Sequence, residues 1–580
     1  MSAKPEVAPL RMGAADRGGG PGGYAPGVIL LIVLLGLAIL PPFFLLVMSS
    51  LHDFEADGSY RDFTLRHFTQ IFTGGRFVGL LLNSAIYSLG SALLALVIGA
   101  AQAWLAERTD APFRPFLYLA AIVSLGIPYV LYIGGWLLFF GKAGPVNASL
   151  QYLFGGSQPY VVIHSMGGMI FVEGMIWSPL AFLLLTSVFR NSDAAYEEAA
   201  IMSGARLPAV VRRVTLGMAR PALLALALLV FIRASESFEV PALVGVPGNT
   251  RVLTSTIFQR FTLDMPPNIG SACAFGVLLL VLMVVLLRLY NLVAEQSHRY
   301  RSITGKGFRP RMVNLGRWRW LAGTMILIIP LVVVIVPLAN VLWAALLPYY
   351  QPPSLQALER LGLDNFRMAV NSPSFRDSIG NSLILGAATA TCVTFLAGVA
   401  GWCVARQLRG GRLIDLLAAM PLVFPAIVLG LAFLELFVHS GSWIYGSLLS
   451  LVVVSTIAYM PYGLRFGQLG VIQIHPELEE AASIAGASTP VIVRRIVLPL
   501  LAPALLSCWL FVFLLAVRAT AMVLLLVGPD SQVVAVTLFD LWNNGQIGEL
   551  AALGCVWMGI MTCFSLAFFV LARRYELPLG

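Results

Sequence analysis

The chain has 580 residues, of which 58% are hydrophobic and 11% charged, with a formal net charge of +9. A soluble domain carries about 25% charged residues, so a soluble enzyme is excluded. A nucleic-acid-binding protein is excluded too, because the basic residues sit in short stretches between apolar runs rather than on one polar face.

Residues 1–25 are rich in Gly, Pro and Ala and read as a disordered cytoplasmic N-terminus. The apolar run 26–50 is too long for a signal-peptide core and has no convincing cleavage site, so it reads as a retained first span. Further runs follow at 78–105, 115–140, 161–188, 219–234 and 271–293, then at 320–347, 379–404, 414–438, 447–464, 501–526 and 550–572. Each is on the scale of the roughly 20 residues that cross a bilayer as helix, except 219–234, which is short and is expected to continue past Arg233. Backbone polar groups cannot stay unpaired in lipid, so every span must be helical. The expected fold is an all-α polytopic membrane protein of about twelve spans. It divides into a first repeat (26–293), a basic cytoplasmic linker (294–319) and a second repeat (320–574). The six cysteines lie in or beside apolar runs and form no CxxC pair, and the six histidines show no ligand spacing. Neither a disulfide framework nor a metal site is expected.

Placing both termini in the cytoplasm puts 25 of the 37 Lys and Arg residues in inside segments and 9 in outside segments. This is the orientation that positive charge favours. The linker alone holds Arg299, Arg301, Lys306, Arg309, Arg311, Arg317 and Arg319.

The two halves repeat each other. Phe68, Phe77, Asn83, Ser84, Trp104 and Arg108 recur 298 residues later as Phe366, Phe375, Asn381, Ser382, Trp402 and Arg406. Further along, the offset is 282: Pro179, Glu197, Glu198, Ala199, Ala200, Gly204, Arg212 and Arg213 recur as Pro461, Glu479, Glu480, Ala481, Ala482, Gly486, Arg494 and Arg495. Six spans is an even number, so the halves run the same way through the membrane. They are therefore parallel repeats about an axis along the membrane normal, which would pass through a central pathway.

The loop between the fourth and fifth spans of each half carries the most specific signal. It reads Glu197-Glu198-Ala199-Ala200 with Gly204 in the first half and Glu479-Glu480-Ala481-Ala482 with Gly486 in the second. Paired alanines favour helix. Asn191 or Asp193 can cap the first copy, and Pro476 suits the start of the second. Each glycine can end its helix in the left-handed conformation, and Pro208 and Pro490 then begin the next helix. The wording resembles the EAA loop of binding-protein-dependent ABC importer permeases: EAA, three residues, G, nine residues, an apolar residue, one more, then LP. The second copy fits through Ile496, Leu498 and Pro499. The first fits through Val214 and Leu216, with Gly217 in place of the final proline, a departure expected to touch only the helix end.

The resemblance covers nearly the whole chain from about residue 26 and points to a fused, double-length permease of the ferric-iron branch, with thiamine, polyamine and phosphonate relatives. It implies the type I ABC importer permease fold, a bacterial inner-membrane location, and coupling of each loop to one of two ABC ATPase subunits through Glu197, Glu198, Ala199, Ala200, Gly204 and Glu479, Glu480, Ala481, Ala482, Gly486. It also implies a periplasmic or lipid-anchored solute-binding protein, received by the outside loops and delivering a small solute, ferric iron being favoured. No G-x-x-x-x-G-K-[ST] run occurs, so ATP and magnesium are expected on the partner subunits, with no cofactor and no catalytic residue in this chain.

Four ionisable residues fall deep in spans, where they are costly and face a partner or a cavity: Arg233, Arg518, Glu173 and Glu435. They are the candidate pathway residues, the two arginines on the central axis with either glutamate as neighbour; structural ion pairs or snorkelling arginines are the competing reading. Glu236 and Glu239 begin an outside loop and read as solvated. A twelve-span transporter driven by an ion gradient would share the parallel halves. It gives no reason for the duplicated Glu-Glu-Ala-Ala loops, and neither does a transport-free membrane scaffold.

Overall fold

The computed structural model describes residues 26–55, 59–190, 195–299, 312–441 and 443–574. The terminus 1–25, the caps assigned to Asn191 or Asp193, and Arg301, Lys306, Arg309 and Arg311 of the linker lie outside the described residues.

Helix α1 (Pro26–Ser50) leads into a small antiparallel hairpin, β1 (His52–Phe54) and β2 (Tyr60–Phe63). The long α2 (Phe77–Arg108) follows, then α3 (Arg114–Leu125), α4 (Tyr129–Phe140) and α5 (Met166–Arg190). A short α6 (Ala195–Met202) precedes α7 (Leu216–Glu236), α8 (Leu253–Phe258) and α9 (Ile269–Arg299). The second half repeats this order. It comprises α10 (Trp318–Pro330) and α11 (Val336–Ala345), α12 (Pro373–Ala405), α13 (Gly411–Ala419), α14 (Ala426–His439) and α15 (Leu448–Ile472). The short α16 (Glu477–Ile484), α17 (Leu498–Ala516), α18 (Val534–Asn543) and α19 (Ile547–Arg574) complete it.

Two expected straight spans, 115–140 and 414–438, are broken. The chain bends by 110° between α3 and α4 and by 108° between α13 and α14. Pro128 and Pro425 stand at the two breaks. A proline supplies no N–H and drives the preceding residue out of the helical region, so each helix stops and restarts there. The fifth span continues past Arg233 as expected and begins earlier than expected: the helical stretch runs over Val211–Glu236. It enters through a π turn, Val211–Thr215, and its counterpart in the second half enters through Val493–Val497. Gly217 therefore lies inside a continuous helix, just after the π turn, and not at a helix end.

Backbone contacts fix the direction of each crossing. Val313 donates its N–H to the Arg108 carbonyl at 2.9 Å, so α10 begins on the face where α2 ends. The helical stretch Trp318–Ala345 crosses, and α12 returns to that same face. Arg108 at the end of α2 binds Glu197 of α6, and Arg406, just past α12, binds Glu479 of α16. Both short helices thus sit on one face, here called the inner face. Ten unbroken helices are long and apolar enough to cross a membrane, and counting each bent pair as one crossing gives twelve among the described residues. The described chain also begins and ends on the inner face.

The halves are interlocked. α1 packs on α9 of its own half and on α13 and α14 of the other; α11 packs on α19 of its own half and on α4 of the first. Lipid provides no hydrophobic drive between helices, so such contacts depend on close approach and polar bonds. At α4 against α11, a Cβ added to Gly135 would lie 2.3 Å from the Pro337 carbonyl oxygen, and Tyr132 donates to the Val333 carbonyl at 2.6 Å. At α1 against α14, Ser49 donates to Glu435, and Phe43 meets Phe424 edge-on at 5.5 Å.

Candidate functional site

The inner face carries the twin short helices. Glu197 stands in the first turn of α6, where a helix dipole favours negative charge. Its carboxylate accepts from Arg108 at 2.7 Å and from the Thr215 hydroxyl at 2.7 Å. Arg108 is 1% exposed and Glu197 7%. In the second half Glu479, 3% exposed, accepts from Arg406 at 2.6 and 2.9 Å and from the Trp402 indole at 3.1 Å. Arg406 also donates to the Ile474 carbonyl at 2.9 Å. The first glutamate of each loop therefore faces inward and locks its short helix to the long second span. It does not offer its carboxylate to the surface, as a direct docking role would require.

The surface of each short helix belongs to its neighbours. Glu198 and Glu480 are half-buried, Ala199 and Ala481 are exposed, Ala200 and Ala482 are half-buried, and Gly204 and Gly486 are exposed. Gly204 and Gly486 adopt φ +85° and +86°, the left-handed conformation a side chain resists. The Ala205 N–H reaches back to the Ala200 carbonyl and the Ala487 N–H to the Ala482 carbonyl, each at 3.0 Å, closing the helix end in the Schellman manner. The closed turns leave Met202 and Ile484 projecting, each 88% exposed, and Tyr196 and Leu478 are exposed on the same short helices. Sequence reasoning missed these residues because their types differ between the copies.

A second polar group lies at the seam between the halves. Arg233 donates to the Tyr462 hydroxyl of the other half at 3.0 Å and pairs with Glu236 at 2.5 Å. Arg518 donates to the Tyr129 hydroxyl of the other half at 3.0 Å, its guanidinium lying 4.8 Å from that ring centre. The cross-seam tyrosines could not be found from sequence, because no local pattern marks them. Arg233 keeps 27% side-chain exposure although it lies between the halves.

The expected neighbours of the arginines are not the observed ones. Glu173 is 1% exposed and accepts from Tyr87 at 2.7 Å, Trp177 at 2.8 Å and Ser237 at 3.0 Å. Glu435 is 2% exposed and is held by Ser49, with His439 at 3.6 Å. Arg233 instead pairs with Glu236, and Arg518 acts on Glu239 through its charge; both glutamates are half-buried and not fully solvated, because the chain folds back toward the bundle after α7. Burial pushes the Glu239 carboxyl up from its ordinary range, opposed by the backbone amides of Glu239, Phe238 and Ala521 and by Arg518. Among the described residues, no three His, Cys, Asp or Glu side chains are grouped so as to hold a metal ion.

Beyond the arginines, the segments read as outside loops are largely buried. Phe238, Leu253, Ile257, Val534 and Phe539 are each at most 3% exposed. Phe258 of the first half meets Phe539 of the second with ring centres 6.0 Å apart, and Phe238 lies 5.1 and 5.8 Å from the two. This aromatic cluster, here called the plug, bridges the two halves on the outer side.

The family model described as "Binding-protein-dependent transport system inner membrane component" matches residues 91–297 and, a second time, 394–576. The chain belongs to this family. It is a fused ABC importer permease, a multi-pass inner-membrane transport subunit with two permease halves. The ferric transport system permease protein FbpB of Actinobacillus pleuropneumoniae is 23% identical over 548 residues, covering 93% of this chain and 77% of that protein. A putative 2-aminoethylphosphonate transport system permease protein, PhnU of Salmonella typhimurium, is 26% identical over 269 residues, covering 46% of this chain and 93% of its own. A solved bacterial ABC transporter involved in the import of the acidic polysaccharide alginate aligns with 48% of this permease and 95% of its own chain, at 19% identity and a TM-score of 0.36.

Proposed function

We propose that this permease moves a small solute, delivered by an extracytoplasmic binding protein, through the seam between its halves. Two ATPase subunits dock on α6 and α16, which face the cytoplasm together with both chain termini. ATP and magnesium bind to those subunits and not to this chain. The observation that carries the reading is the pair of closed short helices on one face, each locked by a buried arginine–glutamate pair. Docking uses the exposed side of each helix: Ala199, Met202 and Gly204 in the first half and Ala481, Ile484 and Gly486 in the second, with Glu198 and Glu480 at its edge. Glu197 and Glu479 hold that surface in place from behind. Arg233 and Arg518 are the pathway residues, while Glu173 and Glu435 support the walls.

Ferric iron is the favoured solute, because ferric transport permeases align with 93% and 87% of this chain whereas the aminoethylphosphonate permease aligns with 46%. Thiamine, polyamines and phosphonates are the competing cargoes. The test is to purify the permease with its ATPase and binding protein in lipid discs. Solute-loaded binding protein should stimulate ATP hydrolysis, and Met202→Asp with Ile484→Asp should abolish the stimulation while the permease stays folded. Solute uptake by vesicles that contain this chain and no ATPase would overturn the reading. Competition of labelled ferric iron against the other cargoes decides the solute.

A further inference from the structure

α2 and α12 are tied at both ends. At the inner end, Arg108 in the last turn of α2 and Arg406 just past α12 grip Glu197 and Glu479 of the short helices. At the outer end of α2, the Ser84 hydroxyl accepts the Leu253 N–H at 3.1 Å, and Asn83 donates to the Arg251 carbonyl at 3.1 Å. At the outer end of α12, the Ser382 hydroxyl accepts the Val534 N–H at 2.8 Å, and Asn381 donates to the Asp530 and Gln532 carbonyls at 3.1 and 3.0 Å. Leu253 opens α8, which ends in Phe258; Val534 opens α18, which holds Phe539. Each outer grip therefore takes hold of the first residue of the short helix that presents a plug phenylalanine.

The helices between the grips are built to stay straight. α1, α5, α7, α15 and α17 each contain an internal proline: Pro41 and Pro42, Pro179, Pro221, Pro461 and Pro503. α2 has none, and the proline of α12 is confined to its first turn. α7 and α17 are also entered through π turns, whereas α2 and α12 run unbroken. From Ser84 to Arg108 the axial rise is about 36 Å at the standard helical spacing, enough to join the inner face to the outer plug.

We infer that α2 and α12 are rigid rods that carry movement of the short inner helices to the aromatic plug, with Arg108 and Arg406 as inner grips and Asn83-Ser84 and Asn381-Ser382 as outer grips. These are positioning residues: none of them contacts ATP or solute. A rod that shifts as a unit displaces α8 and α18 together and parts Phe258 from Phe539. The inference rests on the proposed coupling of α6 and α16 to ATPase subunits.

The test uses the full complex with its ATPase and binding protein in lipid discs, on a cysteine-free background carrying Phe539→Cys. A membrane-impermeant thiol reagent reads plug opening, and ATP hydrolysis is measured on the same sample. In the parent, ATP should raise the labelling rate. Ser84→Ala with Ser382→Ala should leave basal hydrolysis intact and cut the ATP-dependent rise by roughly 5- to 150-fold, the ordinary range of coupling between sites. Ser84→Thr with Ser382→Thr, which keeps both hydroxyls, should restore it. Should the alanine pair fail to assemble, Asn83→Ala with Asn381→Ala, on more exposed side chains, should show the same split between hydrolysis and labelling. Parent-like ATP-dependent labelling in either alanine pair would overturn the rods and leave the coupling assignment standing. Absence of a co-purifying ATPase from the parent would overturn that assignment, and the rods with it.

Discussion

The two halves agree at their ends and differ in their middles. Inner grips, closed glycine turns, π turns and outer grips recur in both. Between them, Glu173 in α5 is caged by three donors, while the matching position in α15 is Ser455, a buried residue whose hydroxyl has no hydrogen-bond partner among the described residues. Glu435 in α14 holds the crossing helix α1 through Ser49, while the matching position in α4 is Leu138. Gly401 and Gly467 bring α12 and α15 into backbone contact, where the first half has Ala103 and Leu185. The shared features thus lie at the two ends of the bundle, and the buried polar contacts between them are solved separately in each half.

Four measurements would break or sharpen that comparison. The largest effect is expected at the shared ends. Arg108→Ala or Arg406→Ala leaves a buried carboxylate without its cation, a loss of about 3–5 kcal/mol. Both should lower the thermal midpoint of the purified complex and abolish transport, and a large effect in one half only would break the equivalence. Glu173→Leu should come next. It strands the buried Tyr87 hydroxyl, at about 1–3 kcal/mol, and frees the part-buried Trp177 and Ser237 donors, whereas Ser455→Ala in the other half should be neutral in the same thermal assay. Gly467→Ala should cost about 1–3 kcal/mol by overpacking, since its Cβ would meet the Ala397 carbonyl oxygen at 2.1 Å. The smallest effect is expected at Arg367, whose ion pair with Asp364 is 75% and 81% exposed. Arg367→Ala should leave both transport and midpoint unchanged, as exposed pairs usually do.

Much of this was legible in the sequence, and for identifiable reasons. Spans show because lipid leaves no partner for backbone polar groups, so a crossing is written as a long apolar helical run. The loops show because the same Glu, Ala and Gly residues recur at one offset, and Gly204 and Gly486 take the predicted conformation. Arg108 and Arg406 were visible as a repeat, yet their partners were not. Nothing local pairs Arg108 with Glu197, 89 residues away, or Arg406 with Glu479, 73 residues away. The breaks at Pro128 and Pro425 were hidden because proline inside a membrane helix can either be absorbed, as at Pro179 and Pro461, or end the helix.

By itself, then, the sequence determined the helical class, the duplication and the short inner loops, since hydropathy, repetition and turn chemistry act over a few residues. Only the tertiary structure decided that α1 and α11 cross to the opposite half, that Glu197 and Glu479 turn inward, and that Arg233 and Arg518 meet tyrosines across the seam. Those choices depend on which helices lie side by side. In a bilayer, that is settled by close packing and the satisfaction of buried polar groups, not by hydrophobicity, because lipid tails are as apolar as the side chains of a neighbouring helix.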